Sequence, residues 1–254
     1  GDGNPPDFTG KNVIVVGGGN VAMDATRSAI RLGAKNVSVM YRRRKADMTA
    51  LMDEIEAAIA EGAEILELHA PQAIETNKKG QVTAMVADHK IIGLNAGGRP
   101  SPANSGREPI HIPCDIVIVA IGQNIVSEPF ERAGIPARRG CFLAEKDSSI
   151  AEKDGVFAGG DCVTGPATVI RAIAAGKVAA ANIDNYLGFN HKIESGVVVP
   201  EPRIENKTPC GRVTMMERNT TERKKDFNIV ENGMTCKEAN QEAHRCLRCD
   251  RFGY

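Results

Sequence analysis

The apolar residues of this chain change period in an orderly way. Val13-Ile14-Val15-Val16 is an uninterrupted apolar run, the pattern of a strand buried on both faces of a parallel sheet. Gly17, Gly18 and Gly19 follow at once. Val21, Ala22, Ala25, Ala29 and Leu32 then recur at helical spacing until Gly33, which predicts a helix over 20–32 ended by a glycine. Asn36–Tyr41 (NVSVMY) reads as a second strand. Leu51, Met52, Ile55, Ala58 and Ile59 share one helical face, which predicts a helix over 48–61 stopped by Gly62. Ile65–Leu68 is a third strand. The apolar segments at 82–86 and 91–94 read as a short antiparallel excursion. Residues 95–109 (NAGGRPSPANSGREP) are polar and rich in Gly and Pro, so an exposed, mobile loop is expected there. Asp115–Ile121 (DIVIVAI) is a returning buried strand closed by Gly122. Alternating strands and helices of this kind predict the α/β class, with a Rossmann-like parallel sheet over residues 1–123.

Beyond about residue 124 the pattern thins. Apolar segments at 140–143 and 155–158 are short, and Gly159-Gly160-Asp161 follows the second of them. An Ala-rich segment, 166–187, reads as one long helix with Pro166 at its start and Gly188 after its end. This block, 124–190, has too few strands for a sheet of its own. Residues 191–254 read as a Pro-containing linker and a charged, partly helical tail with Cys210, Cys236, Cys246 and Cys249.

Composition removes several function classes. Lys plus Arg equals Asp plus Glu, 32 each, so no global field favours nucleic acid or a membrane surface. Trp is absent and aromatics make up 4% of residues, which argues against a base-stacking single-strand binder. No apolar run reaches spanning length and no secretory signal is visible. The seven cysteines are scattered without the spacing of a secreted framework, and a reducing cytoplasm is expected. The chain opens on Gly1 rather than Met, as a piece of a longer protein would.

The residues that carry chemistry sit where strands end. In the strand–turn–helix context, Gly17 permits a tight turn, Gly19 lets backbone approach a pyrophosphate, and Ala22 supplies the small contact where helix meets strand. Amides at the helix start then face the phosphates, with the helix dipole behind them. The second strand runs into Arg42-Arg43-Arg44 with no carboxylate. At that end of a dinucleotide fold an acidic residue would take the 2′-hydroxyl of NAD, whereas arginines pair with a 2′-phosphate. The arginine run therefore points to NADP(H).

Five segments, VGGGNVAMD, YRRRKADM, EIEAAIAEGAEI, DIVIVAIGQ and VFAGGD, occur here in order. Together they resemble the small (β) subunit of NADPH-dependent glutamate synthase and the pyridine-nucleotide flavoproteins around it, including the flavin segment of dihydropyrimidine dehydrogenase. The resemblance covers about residues 10–190. It implies an oxidoreductase in which an NADPH domain is inserted between two halves of an FAD domain. Hydride passes from nicotinamide to flavin, and electrons leave through iron–sulfur clusters. By position it implies that Gly17, Gly18, Gly19, Asn20 and Val21 hold the pyrophosphate and Arg42 and Arg43 the 2′-phosphate. Ala120, Ile121 and Gly122 match the crossover between domains. Gly160, Asp161, Thr168 and Val169 match the second FAD motif, where Asp161 accepts from the ribityl chain or positions the phosphates through water. The helix start beyond it faces the pyrimidine edge of the ring, which gains negative charge on reduction. No side chain need act as acid or base in hydride transfer, so no catalytic residue is assigned.

One departure matters. These relatives carry a further Gly-rich fingerprint ahead of the NADPH domain, and this chain shows none. Residues 124–190 are thus expected to be the C-terminal part of an FAD domain whose N-terminal half is a missing partner. In the tail, EANQEAHRCLRCD contains Cys246-x-x-Cys249, which suits half of an iron–sulfur or zinc site or a redox pair. It resembles the start of the family's cluster-binding region. The sequence favours the plainer reading, free or structural thiols in an incomplete module. Cys162 lies beside Asp161 without a Cys-x-x-Cys partner, and the five His show no metal spacing. An electron-transfer partner subunit is implied. The rival reading is a non-catalytic NADP(H)-binding or docking subunit of an electron-transfer complex.

Overall fold

The computed structural model describes residues 6–96, 99–151, 153–192, 196 and 210–246. The chain divides into two compact units, residues 1–121 with 203–254, and residues 122–202.

In the first unit β1 (Asn12–Val16) leads through the glycine turn into α1 (Asn20–Arg31), and β2 (Asn36–Tyr41) follows. After α2 (Met52–Glu61) come β3 (Glu64–Glu67), β4 (His69–Thr76) and β5 (Val82–Ala96). Next are β6 (Arg99–Asn104), β7 (Ile110–Pro113) and β8 (Ile116–Val119). A four-stranded parallel sheet has the order β3-β2-β1-β8. An antiparallel sheet has the order β4-β5-β6, with β7 also paired to β5.

The apolar run of β1 explains the layering. Successive side chains of a strand point to opposite faces. Val13 and Val15 pack with Val37, Val39, Ala22, Met23, Ala29, Ile55 and Ala58 beneath the two helices. Ile14 and Val16 pack with Met40, Met85, Ala87 and Cys114 on the antiparallel side. Both faces of the central strand are covered, so it reads as a continuous hydrophobic stretch.

Two local expectations are corrected. The segment 95–109 is not all loop, because Arg99–Asn104 forms a strand on β5. Pro100 and Pro102 are tolerated there because β6 lies at the edge of the sheet. The helix expected from Met48 begins at Met52 instead. A 3-10 turn spans Lys45–Asp47, and residues 49–51 spend their amides outside a helix. Thr49 N and Ala50 N donate to Gly18 O at 2.9 and 3.0 Å, and Leu51 N donates to Asn20 Oδ1 at 2.8 Å.

The tail carries two short helices with side-chain caps. Here α6 (Thr220–Arg223) and α7 (Cys236–Arg245) are capped by Asn219 and by a Thr235–Glu238 capping box. The segment docks through Glu61, whose side chain has 0% exposure. Glu61 Oε1 lies 2.9 Å from Arg27 Nη2 and 2.9 Å from Arg223 Nε, and its Oε2 lies 2.8 Å from Arg31 Nη1. Arg31 Nε donates to Asp226 O at 3.0 Å. Burial alone would raise the Glu61 carboxyl. Its hydrogen bonds and charge attraction to Arg27 and Arg31 outweigh that and hold it below the ordinary range. The hydrophobic pattern carried no signal for this contact.

In the second unit α3 (Glu128–Arg132) precedes two short ribbons. These are β9 (Ala137–Arg138) with β10 (Cys141–Phe142), and β11 (Ser149–Ile150) with β12 (Lys153–Phe157). Then come α4 (Asp161–Thr164) and α5 (Val169–Tyr186). Phe142 and Ile150 are its buried apolar side chains. None of the residues of α5 is buried. Among the described residues no helix is long and apolar enough to cross a membrane.

Candidate dinucleotide site

The chain leaves β1 for β2 and β3 on one side, and returns at β8 on the other. The crevice outside the carboxyl ends of β1 and β8 is therefore the switch point at which open α/β sheets bind ligands. Gly17 lies there with φ +148°. A Cβ on it would stand 2.3 Å from Ala120 O, so the close approach of the two strand ends requires glycine. Ala120 N donates to Val16 O at 2.8 Å, which holds that approach. A Cβ on Gly18 would meet the Tyr41 ring at 2.4–2.8 Å. Gly19 is different. A Cβ there would have one neighbour, Thr49 Oγ1 at 3.7 Å, so the space beside its backbone is open.

Gly19 is the N-cap of α1 and its carbonyl accepts from Ala22 N and Met23 N. The amides of Asn20 and Val21 find no acceptor among the described residues. Open space plus unspent amides at a helix start fit a pyrophosphate. The Asn20 side chain is already engaged with Leu51 N, so what Asn20 offers a ligand is its backbone. Val21 and Ile121 are exposed, and Gly122 has φ +104°.

The three arginines after β2 are not equivalent. Arg42 is exposed and has no partner among the described residues. Arg43 donates through Nε to Pro100 O at 2.6 Å, and its Nη groups make no hydrogen bond among the described residues. Arg44 is paired with Asp47, Nε to Oδ2 at 2.9 Å and Nη2 to Oδ1 at 3.1 Å. The bond from Arg44 holds the Asp47 carboxyl below the ordinary carboxylate range. Tyr41 Oη donates to Asp47 O at 2.9 Å. One tyrosine thus joins the glycine turn to the arginine loop. No spacing in the sequence announced that link.

In the second unit Gly160 has φ +79° and caps α4, a conformation suited to glycine. Asp161 Oδ1 accepts from Ala167 N at 3.3 Å, bringing the GGD turn to the start of α5. Thr168 caps α5 by accepting from Arg171 N. The amides of Val169 and Ile170 have no acceptor among the described residues. These groups fit an electron-rich ring edge. Cys162 Sγ donates to Gly159 O at 3.2 Å. In the tail, Cys246 is the exposed C-cap of α7, and Cys249 lies outside the described residues. Among the described residues no three His, Cys, Asp or Glu are grouped to hold a metal.

A parallel sheet whose middle strand runs into an open glycine turn at the switch point is the dinucleotide-binding fold. Comparison with known proteins makes this particular. The model of the pyridine nucleotide-disulphide oxidoreductase family matches residues 2–176, and the chain belongs to that family. It is 37% identical to subunit beta of the NADP(+)-dependent formate dehydrogenase of Moorella thermoacetica, over 98% of this chain and 37% of that protein. It is 35% identical to the glutamate synthase [NADPH] small chain of Azospirillum brasilense, over 70% of this chain and 37% of that protein. The chain thus spans well under half the length of these two relatives. Among solved structures, thioredoxin reductase of Lactococcus lactis shares the fold with a TM-score of 0.59 at 18% identity, over 71% of this chain and 54% of that one. FprA of Mycobacterium tuberculosis, in complex with NADPH, does so with a TM-score of 0.57 at 17% identity, over 72% and 54%.

Proposed function

We propose that this chain is the NADPH-binding part of a flavoprotein oxidoreductase similar to the glutamate synthase small chain. The observation that carries the reading is that the Asn20 and Val21 amides after β1 and the exposed Arg42 after β2 all lack a partner among the described residues. Residues 1–123 form the NADPH-binding domain. Gly17, Gly18 and Gly19 shape the turn, Asn20 and Val21 offer amides to the pyrophosphate, and Arg42 and the Nη groups of Arg43 take the 2′-phosphate. Arg44 is neutralised by Asp47 and stands aside. Ala120, Ile121 and Gly122 form the crossover, of which Ala120 fixes the width of the glycine turn.

Residues 124–190 are the C-terminal part of an FAD-binding domain. Gly160, Asp161, Thr168 and Val169 are its contribution to the flavin. FAD, when bound, supplies the ring that takes a hydride from NADPH and releases electrons singly. The protein supplies open amides where charge grows, and no acid or base. The exposed side chains of Val169, Ile170 and Ile173 on α5 are the surface that the remainder of the FAD domain covers. Residues 191–254 are a linker and tail, and Cys246 and Cys249 belong to an iron–sulfur or electron-transfer module completed by other ligands. The names of relatives as subunits and small chains support a partner subunit as electron acceptor. The setting is cytoplasmic.

The test is titration of the chain with NADPH and with NADH. NADPH is expected to bind much more tightly, with the preference lost in Arg42→Ala/Arg43→Ala. Equal affinities in the wild-type chain would overturn the reading.

A further inference from the structure

We infer that Thr49 is a further ligand of the nucleotide, donating its hydroxyl to the pyrophosphate. The inference rests on the dinucleotide reading of the glycine turn. Three observations carry it. The first is place. Thr49 Oγ1 is the one atom that a Cβ on Gly19 would approach, at 3.7 Å. The hydroxyl therefore borders the open space beside the backbone whose amides are unspent. Thr49 itself is exposed, so the hydroxyl is at the mouth of that space rather than walled away from it.

The second is fixation. Thr49 N and Ala50 N both donate to Gly18 O, and Leu51 N donates to Asn20 Oδ1. Consecutive amides of the 49–51 segment are thus fastened to the same turn that offers its own amides to the ligand. On the other flank Tyr41 Oη holds Asp47 O, two residues before Thr49. A side chain mounted on a segment tied at both flanks is ordered before the ligand arrives, and little freedom is lost when it binds.

The third is an unspent donor. Thr49 Oγ1 lies 3.4 Å from Gly18 O, at the long limit of a hydrogen bond. Gly18 O already accepts two backbone amides at 2.9 and 3.0 Å, so both of its lone pairs are engaged. A phosphate oxygen is a charged acceptor and makes shorter, stronger bonds. Rotation about χ1 transfers the hydroxyl to it and leaves the two amide bonds to Gly18 intact.

The pyrophosphate is common to NADP(H) and NAD(H). Thr49 should therefore raise affinity for both without choosing between them, unlike Arg42 and Arg43. The test is calorimetric titration of the full chain with NADP+ and NAD+, in the wild type and in T49V, T49S and T49A. T49V keeps the side-chain shape and every backbone bond. It is expected to weaken both nucleotides about tenfold, with their ratio unchanged. T49S is expected to restore wild-type affinity within about twofold, because it restores the hydroxyl. T49A gives the same reading should T49V fold poorly. A wild-type chain that binds NADP+ while T49V and T49A bind it equally well overturns the inference and leaves the dinucleotide reading standing. Loss confined to NADP+ also overturns it, by moving the hydroxyl to the 2′-phosphate. A wild-type chain that binds neither nucleotide overturns both.

Discussion

The two units differ in how they treat their longest helices. In the first, α1 buries Ala22, Met23 and Ala29, and the sheet beneath it is covered on both faces. In the second, α5 is longer yet buries nothing, and Val169 and Ile170 are 75% and 80% exposed. The helix is capped by Thr168 and touches β12 through Tyr186, whose ring meets Phe157 edge-on and whose hydroxyl donates to Asp154. A helix stabilised by burial needs a facing layer of helices or sheet, and the second unit offers two ribbons of two strands. The contrast separates a dinucleotide unit with a closed core from one that presents an apolar face.

The largest expected effect tests how the first unit holds the tail. Glu61→Ala leaves Arg27, Arg31 and Arg223 around an empty carboxylate site, and breaking a buried ion cluster from one side costs about 3–5 kcal/mol. Denaturant unfolding should show that loss, and limited proteolysis should cut within 210–246 faster. Unchanged protection of the tail would show that Glu61 does not fasten it.

Core substitutions sharpen the contrast directly. Ile55→Ala, at 1% exposure, should cost about 2–5 kcal/mol. Ile173→Ala on α5 should fall within about 0.5 kcal/mol of wild type. Equal costs would erase the distinction between the units. At the nucleotide end, Arg42→Ala/Arg43→Ala should remove about 1.5–3 kcal/mol of NADPH affinity for each charge-assisted bond lost. NADH should be nearly unaffected, and fluorescence titration of both nucleotides reads the difference.

The smallest effect is in pH. The folded-state Glu61 carboxyl is held below its ordinary value. Its contribution is therefore complete above the unfolded-state value of about 4.3, and fades as pH falls through the lower folded-state value. Proteolytic release of the tail should rise in that acidic window and stay flat from pH 5 to 7. A rise between pH 6 and 7 would point to another group.

Much of this was legible in the chain itself. Val13–Val16, the glycine turn and the helix after it follow from local pattern, because strand burial and turn chemistry are written in adjacent residues. The antiparallel strand Arg99–Asn104 was not, since its prolines hide an edge strand that pairing with β5 supplies. The helix start moved from Met48 to Met52 because Gly18 and Asn20, distant in sequence, claim the intervening amides. The arginine run pointed to the 2′-phosphate as a block. The partners Pro100 and Asp47 divide it, among the described residues, into one residue without a partner, one half-engaged and one neutralised. Glu61 read as the end of an amphipathic helix, and its role depends on arginines brought from residues 27, 31 and 223.

The most direct test is a paired titration of this 254-residue chain with NADPH and with FAD, followed by an absorption spectrum after gel filtration. Expected is one NADPH bound per chain without flavin, together with a colourless protein that retains little FAD, because the ADP half of FAD needs a glycine fingerprint of its own. A chain that emerges yellow with stoichiometric FAD, or that binds no NADPH, would contradict the assignment of a complete nucleotide site to the first unit and a partial flavin site to the second.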